Sequence, residues 1–315
     1  MRAVRGVELA FVERAPPKVN LTLAVLGRRP ADGYHELDSL VAFAQDVADT
    51  VTLHTVPPDT ASSRAAGSFD PSVPLVTATG PFAGSIVGEN LLDIALRAIA
   101  TAAPSLVLGP VTLDKRLPIA AGIGGGSADA AALIRAVIRA NPGIAASIDW
   151  HALAARLGAD VPVCLDLRAQ RMQGIGDQLT PVPHLPPLHA VLVNPLAPVP
   201  PDKTARVFRT LAAPTPNLED SRRCSSVPDV TSRDDLLEHM RRTGNDLTRP
   251  AMLVVPEIAA VIAALGAAPG CELAQLSGGG PTCFGIFAGA AEAEAAAVSL
   301  REAKPGWWIA ASRLS

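Results

Sequence analysis

The chain has 315 residues, which is enough for one large domain or two ordinary ones and excludes a peptide module or a disulfide-stapled miniprotein. Hydrophobic residues make up 49% and charged residues 18%, so the composition predicts a packed core and excludes a disordered chain. The 27 Lys and Arg residues against 30 Asp and Glu give a net charge of -3, without a dense basic stretch. This balance argues against nucleic acid as the main partner.

The cysteines and the apolar tracts predict where in the cell the protein is located. The chain has no Cys-x-x-Cys spacing, and most of its four cysteines lie among small or apolar neighbours, which predicts free or buried thiols rather than a zinc site or disulfides. The N-terminus lacks the apolar stretch of a signal peptide, and no apolar tract reaches the roughly 20 residues of a membrane span. We therefore expect a soluble cytoplasmic protein without a membrane partner. The cysteines are Cys164, Cys224, Cys271 and Cys283.

The N-terminal part of the chain reads as strands followed by a helix. Alternating apolar residues within 7–26 predict two strands separated by Ala15-Pro16-Pro17, with Lys18 and Asn20 on one face of the second strand. Further elements are predicted as a turn at 29–33, strands at 37–43 and 50–56, a loop-rich segment at 57–81, a helix at 90–102 and a strand at 105–113.

A glycine-rich segment then leads into a second helix. The sequence LPIAAGIGGGSADAA places four glycines within five positions, directly before apolar residues at helical spacing. Ser127 is expected to be the N-cap of this helix, Asp129 lies in its first turn, and Asn141-Pro142-Gly143 ends it.

The glycine segment is a candidate phosphate cradle. Backbone amides that are free of side chains, at the positive end of a helix dipole, bind anions. The segment has no Lys-Ser/Thr after the glycines, which excludes a Walker A loop, and it lacks the third glycine of the dinucleotide fingerprint. A flexible turn before a helix remains the alternative.

The rest of the chain predicts a second domain. A helix at 149–157 stops at Gly158, and the composition becomes rich in proline after residue 179. We place the domain boundary there, with domains at 1–178 and 179–315, and expect a mobile stretch at 214–232. A second glycine cluster, 277–282, is either a tight strand connection or the wall opposite the first glycine segment.

These motifs resemble the kinase superfamily that includes galactokinase, homoserine kinase and mevalonate kinase. Within it, the chain is most similar to the 4-diphosphocytidyl-2-C-methyl-D-erythritol kinases, because two of the matching segments, DGYHEL and LGADVP, are specific to that family. The matching segments are PKVNL with RPADGYHEL, residues 118–131, LGADVP at 157–162, and residues 276–284.

The resemblance implies an α+β, two-domain small-molecule kinase that uses ATP and Mg²⁺. It implies that Asp160 is the base that deprotonates the acceptor hydroxyl, and that Lys18 lies beside it and stabilises negative charge. From the residues alone, Asp160 reads as a helix N-cap and Lys18 as a solvated strand lysine. The ATP-binding residues are expected to be Asn90, Pro118, Gly122, Ile123, Gly124, Gly125, Gly126, Ser127 and Ala128, with Mg²⁺ near Ser127.

The resemblance also implies that the acceptor is a small molecule carrying a cytidine diphosphate linked to methylerythritol. Tyr34 is expected to stack on the base and His35 to read it, with Phe208 as a second stacking ring. The structural alternatives are a half-buried strand aromatic for Tyr34 and a helix core residue for Phe208. The other candidate acceptor-binding residues are Asn20, Gly279 and Thr282.

Two alternative functions remain open at this point. One is a sister kinase that acts on another small alcohol, such as homoserine or mevalonate, and the other is a catalytically silent nucleotide or metabolite sensor. The chain also departs from its relatives where Gly279 replaces a small hydroxyl residue and where Ala120-Ala121 replace glycines.

Overall fold

The computed structural model describes residues 9–55, 75–211, 230 and 232–315. Most of the segment predicted to be loop-rich at 57–81, nearly all of the mobile stretch predicted at 214–232, and Cys224 lie outside the described residues. The other three cysteines are free thiols, as expected. Within the described residues, no helix combines the length and the apolar character that a membrane span requires.

The strands are β1 Leu9–Ala15, β2 Lys18–Asn20, β3 Ala24–Arg28, β4 His35–Phe43, β5 Asp49–Thr55, β6 Val76–Thr79, β7 Val111–Asp114, β8 Gln170–Gly174, β9 Gln178–Pro181, β10 Leu188–Asn194, β11 Cys271–Leu276, β12 Cys283–Phe287 and β13 Trp308–Leu314. The helices are α1 Leu91–Ala102, α2 Gly125–Ala140, α3 Pro142–Ala145, α4 Trp150–Leu157, α5 Val161–Asp166, α6 Lys203–Thr210, α7 Arg233–Thr243, α8 Thr248–Val254, α9 Glu257–Ala267 and α10 Ala290–Ala303.

The first compact unit takes its described residues from Met1–Ala15, Ala48–Ile119 and Gly125–Asp166. Its sheet has the order β1-β5-β7-β6, with β6 parallel to β7 and the other pairs antiparallel. Strand β5 alternates buried and half-buried residues, as its sequence DTVTLHT predicts for a strand with one face on a core. Helix α2 packs on β1 and β5 and against α1 and α5.

The second compact unit comprises Pro16–Val47, Ala120–Gly124 and the described residues of Leu167–Ser315. One sheet has the order β2-β4-β8-β9 with β3 also paired to β4, and the other has the order β11-β12-β10-β13. All of these pairs are antiparallel. Buried residues of both sheets, such as Leu40 and Phe284, share one hydrophobic cluster. A second cluster includes Val207, Ile258 and Ala297 from α6, α9 and α10. This mixture of helices and mainly antiparallel sheets confirms the predicted α+β class.

The two units interleave along the chain, whereas the sequence predicted one boundary at residue 178. That position begins β9, which pairs with β8 of the same unit through Gln173 and Gln178. Residues 167–178 therefore join the second unit because a hairpin holds them there. The N-terminal segment 16–47 joins it as well, because β4 pairs with β8. Local composition does not report such long-range strand pairing.

The predicted helices at 90–102 and 149–157 are confirmed as α1 and α4, and each begins after a capping side chain. The Asn90 side chain caps α1 by accepting a hydrogen bond from Asp93 N at 2.9 Å, and the Asp149 side chain caps α4 in the same way. The N-cap predicted at Ser127 is wrong, because α2 already begins at Gly125. Gly125 and Gly126 are the first two residues of this helix and, unlike Gly122 and Gly124, do not have positive φ values.

Candidate active site

The glycine segment ends in a series of left-handed backbone positions. Ala120, Gly122 and Gly124 have φ values of 53°, 76° and 64°, and the first turn of α2 follows at once. Glycine takes these angles without steric cost, whereas a residue with a β-carbon does not. The conformation therefore explains Gly122 and Gly124, and it makes Ala120 a strained position.

Within the second unit, the glycine segment is bonded to the second glycine cluster. Thr282 N donates to Ala121 O at 3.1 Å, and the Ser277 hydroxyl donates to Gly122 O at 3.3 Å. A β-carbon at Gly122 would lie 2.5 Å from the carbonyl oxygen of Gly280. The absence of side chains thus lets the two backbones touch, which is a specific reason for glycine beyond flexibility.

Lys18 is buried beside the glycine segment, with 6% of its surface exposed, so the alternative of a solvated strand lysine is wrong. Its ammonium donates to Asn20 Oδ1 at 3.1 Å, and its backbone N–H donates to Ile123 O at 3.0 Å. A β-carbon at Gly124 would lie 2.9 Å from Lys18 Cγ. The shared strand face predicted for Lys18 and Asn20 is confirmed by this contact.

Asn20 holds the lysine in place through a hydrogen-bond network that uses its backbone N–H and both polar atoms of its side chain. Its backbone N–H donates to the Ser277 hydroxyl at 3.1 Å, and its Nδ2 donates to the Ser39 hydroxyl at 2.7 Å. Because Asn20 is 3% exposed and both polar atoms of its side chain are hydrogen-bonded, the structure gives it a positioning role toward Lys18. Its predicted contact with an acceptor stays a prediction.

Asp160 lies in the first unit, half-buried, directly before the short helix α5. Its carbonyl accepts from Cys164 N at 3.3 Å. Arg135 of α2 anchors the same helix by donating to Cys164 O at 2.8 Å, and it also donates to Glu13 and to Arg14 O. Asp160 is therefore presented from a short helix that is tied to the body of its unit.

A buried ionic cluster supports the start of α2 and was missed by the sequence analysis. Lys115 Nζ donates to Asp49 Oδ2 at 2.5 Å and to Asp129 Oδ2 at 2.6 Å. Burial alone would lower the pKa of Lys115, but the carboxylates of Asp129 and Asp49 outweigh it and raise that pKa. Burial raises the pKa of Asp129 well above its usual range against the opposing effect of Lys115. The Lys115 ammonium would lie 3.4 Å from a β-carbon at Gly125.

Lys203, the first residue of α6, was also missed. It is 5% exposed, and its ammonium donates to Ala120 O at 3.0 Å and to Gly280 O. Burial lowers its pKa to about 8. No local signal in the sequence marks it, because a lysine after a proline-rich stretch is ordinary and both acceptors are backbone atoms.

An aromatic pair lies elsewhere in the second unit. The His35 ring stacks on the Phe208 ring, with centroids 4.8 Å apart and planes inclined by 28°. Burial, and then the charge of Arg28, lower the pKa of His35. Tyr34 precedes β4 and is 61% exposed, so the half-buried strand alternative for it is wrong. The structure thus brings two of the three predicted base-contacting rings together.

The remaining predicted residues differ in how available they are to a ligand. A side chain at Gly279 would meet no atom within 4 Å, whereas Thr282 is fully buried and its hydroxyl accepts from Asn194 Nδ2 at 2.9 Å. The buried Thr282 side chain does not favour its predicted acceptor contact. Asn90 uses its side-chain oxygen as a cap, and Pro118 and Ala128 are buried.

Ser127 is the residue that the sequence predicts near Mg²⁺. Among the described residues, no group of three His, Cys, Asp or Glu side chains is arranged around a metal. Mg²⁺ commonly binds through one or two protein groups, substrate phosphates and water. Ser127 is half-buried in the first turn of α2, and within the described residues its hydroxyl has no hydrogen-bond partner. A single Ser127 hydroxyl fits such an ion.

Comparisons with known proteins match this description. The model of the GHMP kinases N terminal domain matches residues 90–166, and that of the GHMP kinases C terminal matches residues 227–306. A protein of Methylobacterium radiotolerans named 4-diphosphocytidyl-2-C-methyl-D-erythritol kinase is 46% identical over 303 residues, covering 95% of this chain and 97% of its own length.

Solved structures agree in fold. A 4-(cytidine 5'-diphospho)-2C-methyl-D-erythritol kinase superposes with a TM-score of 0.71 at 32% identity, covering 96% of this chain and 99% of its own. Homoserine kinase from Cytophaga hutchinsonii superposes with a TM-score of 0.67 at 16% identity, covering 97% and 94% of the two chains. The latter likeness is one of fold alone.

Proposed function

This chain belongs to the 4-diphosphocytidyl-2-C-methyl-D-erythritol kinase family of GHMP kinases, and on that premise we propose that it phosphorylates the 2-hydroxyl of 4-diphosphocytidyl-2-C-methyl-D-erythritol with ATP. This reaction belongs to the non-mevalonate route to isoprenoid precursors. A cytoplasmic location is part of the same proposal.

The observation that carries the proposal is the buried ammonium of Lys18, held by Asn20 against the glycine segment. A lysine ammonium is costly to bury, and here it is oriented by its hydrogen bond to Asn20 Oδ1. Such a fixed positive charge suits an oxygen that becomes negative as its proton leaves. We assign Lys18 the role of orienting the acceptor hydroxyl and stabilising that charge.

We assign Asp160 the role of general base. Asp160 directly precedes a short anchored helix, which restrains its backbone, and a proton transfer from a hydroxyl requires a carboxylate held in position. The proton of the 2-hydroxyl passes to the Asp160 carboxylate, the oxygen attacks the γ-phosphorus of ATP, and the bond to ADP breaks. Positioning and electrostatics supply most of the catalysis in phosphoryl transfer.

The amides of residues 122–127 are proposed to hold the phosphates of ATP, because left-handed glycines and a helix N-terminus direct N–H groups toward one anion. Ser127 would hold Mg²⁺, which neutralises phosphate charge when it is bound. Around the acceptor, the His35 and Phe208 pair and the exposed Tyr34 ring are proposed to contact the cytosine, with Gly279 near the acceptor.

The experiment that tests this proposal measures ADP release by the purified chain with ATP and Mg²⁺ and four acceptor conditions. The acceptors are the cytidyl substrate, mevalonate, homoserine and none. Turnover with the cytidyl compound alone is expected. Turnover of mevalonate or homoserine instead would favour a sister kinase, and ATP binding without any turnover would favour a sensor.

A further inference from the structure

Lys203 joins the two glycine-rich segments of the second unit through their carbonyl groups. Its ammonium, buried at the start of α6, donates to Ala120 O in the first segment and to Gly280 O in the second. Within the described residues, no carboxylate forms an ion pair with it. A fully buried lysine whose assigned partners are two backbone carbonyls holds those carbonyls at a fixed separation.

One of these carbonyls belongs to a strained residue. Ala120 has φ of 53°, a left-handed conformation that is less favourable for alanine than for glycine because of the alanine β-carbon. Gly280, with φ of 69°, pays no such cost. A hydrogen bond from a charged donor to Ala120 O stabilises this backbone angle against relaxation.

We propose that Lys203 is a positioning residue for ATP binding, which clamps the Ala120 and Gly280 carbonyls and so fixes the glycine segment in its phosphate-binding conformation. The inference rests on the proposed function only in taking the glycine segment as the phosphate site. With a pKa of about 8, the ammonium is mostly protonated at neutral pH, when both bonds are charge-assisted.

The principal variant is Lys203→Met, which keeps the length of the side chain but leaves both carbonyls without their donor. Arg206→Met is the matched control, because Arg206 lies on the same helix, is exposed, and forms an ion pair with the exposed Asp202 through its Nε. Both variants remove one positive charge. The readouts are the Kd of a non-hydrolysable ATP analogue by calorimetry, and kcat and KM for each substrate.

Lys203→Met is expected to raise the analogue Kd and the KM for ATP about tenfold, which is the effect of one unsatisfied buried carbonyl. The KM for the acceptor is expected to change less than about twofold, as are all values for Arg206→Met. Equal losses in both variants, an unchanged analogue Kd in Lys203→Met, or a rise confined to the acceptor KM would overturn the assignment.

Ala120→Gly tests the clamp directly, because glycine takes the left-handed angle without help. In the Ala120→Gly background, the loss caused by Lys203→Met is expected to shrink to about threefold, a coupling that simple loss of core packing does not produce. The same tenfold loss in both backgrounds contradicts the clamp. If Lys203→Met does not fold, Lys203→Gln replaces it, with an intermediate loss expected and an unchanged Kd contradicting the inference.

This design separates the inference from the proposed function. Calorimetry with the ATP analogue needs no acceptor, so it measures the effect of Lys203 even when the cytidyl compound is not turned over. Failure of the acceptor assay with intact analogue binding rejects the proposed substrate alone. If the unmodified chain turns over the cytidyl compound and Lys203→Met binds the ATP analogue with an unchanged Kd, the clamp alone is rejected.

Discussion

The imidazole of His35 is stacked on the ring of Phe208, with centroids 4.8 Å apart. A cytosine ring between them would need about 7 Å, because each stacked layer takes about 3.5 Å. In this conformation the two rings therefore form one platform, and a base stacks on its outer face or on the exposed Tyr34.

Phe208→Leu is expected to raise the KM for the cytidyl acceptor about threefold to tenfold, since it removes one ring of the platform. The KM for ATP is expected to stay unchanged. Phe208→Trp restores an aromatic face and serves as the control in the same steady-state assay. Equal rises in both KM values would mean that Phe208 acts on packing of the unit.

Gly122 and Gly279 offer a matched pair in the two glycine-rich segments. A side chain at Gly122 would collide with Gly280 O and would require a left-handed alanine, whereas Gly279 faces open space. Gly122→Ala is expected to lower the free energy of unfolding by about 2 kcal/mol or more and to weaken ATP binding.

Gly279→Ser, in contrast, is expected to leave the melting temperature within about 2 °C of that of the unmodified chain. Urea unfolding and calorimetry check both variants. A stable Gly122→Ala variant with normal ATP affinity would show that the two segments need no direct backbone contact.

These glycines also show how far the sequence alone leads. The motifs predicted the glycine segment, the shared face of Lys18 and Asn20, and the helices that begin next to Asn90 and Asp149, because each depends on residues close in sequence. The Lys203 clamp and the Lys115 cluster could not be predicted, since they join residues that only tertiary packing brings together. Serine is a favoured N-cap, but α2 begins two residues before Ser127, and its start packs beside the buried Lys115, which is distant in sequence.

Asp160→Asn is expected to lower kcat by about 10² to 10⁴-fold while the Kd of the ATP analogue stays nearly constant, because the amide cannot accept the proton. Asp166→Asn, at the other end of α5, is the control, since that carboxylate pairs with the exposed His151. A fully active Asp160→Asn variant would remove the base assignment.

Lys18→Met is expected to lower kcat by about as much as Asp160→Asn, because it removes the fixed positive charge that would stabilise the reacting oxygen. Lys304→Met is its control, as that ammonium lies on the protein surface over Trp307. A change in the KM for ATP with normal kcat would instead give Lys18 a role in nucleotide binding.

Removing the cation from the buried cluster of Lys115, Asp49 and Asp129 is expected to destabilise the fold strongly. Lys115→Met leaves the carboxyl groups of Asp49 and Asp129 buried without their cation, which is expected to lower the free energy of unfolding by about 3 to 5 kcal/mol. Arg116→Met removes the adjacent exposed ion pair with Asp114 and is expected to cost less than about 1 kcal/mol. Similar losses of unfolding free energy in Lys115→Met and Arg116→Met would contradict the greater importance of the buried ion pairs.

The lowered pKa of Lys203 predicts a specific dependence of stability on pH. Its pKa is about 8 in the folded protein and near 10.5 in the unfolded chain, so unfolding takes up a proton between these values. The free energy of unfolding of the unmodified chain should therefore rise with pH relative to that of Lys203→Met. The difference in unfolding free energy between the unmodified chain and Lys203→Met is expected to be constant below about pH 7. Above pH 8 it is expected to grow by about 1 kcal/mol per pH unit. Urea unfolding of both proteins at pH 6.5, 8 and 9.5 measures it, and a difference that stays constant or falls would mean that Lys203 keeps its charge when it is buried.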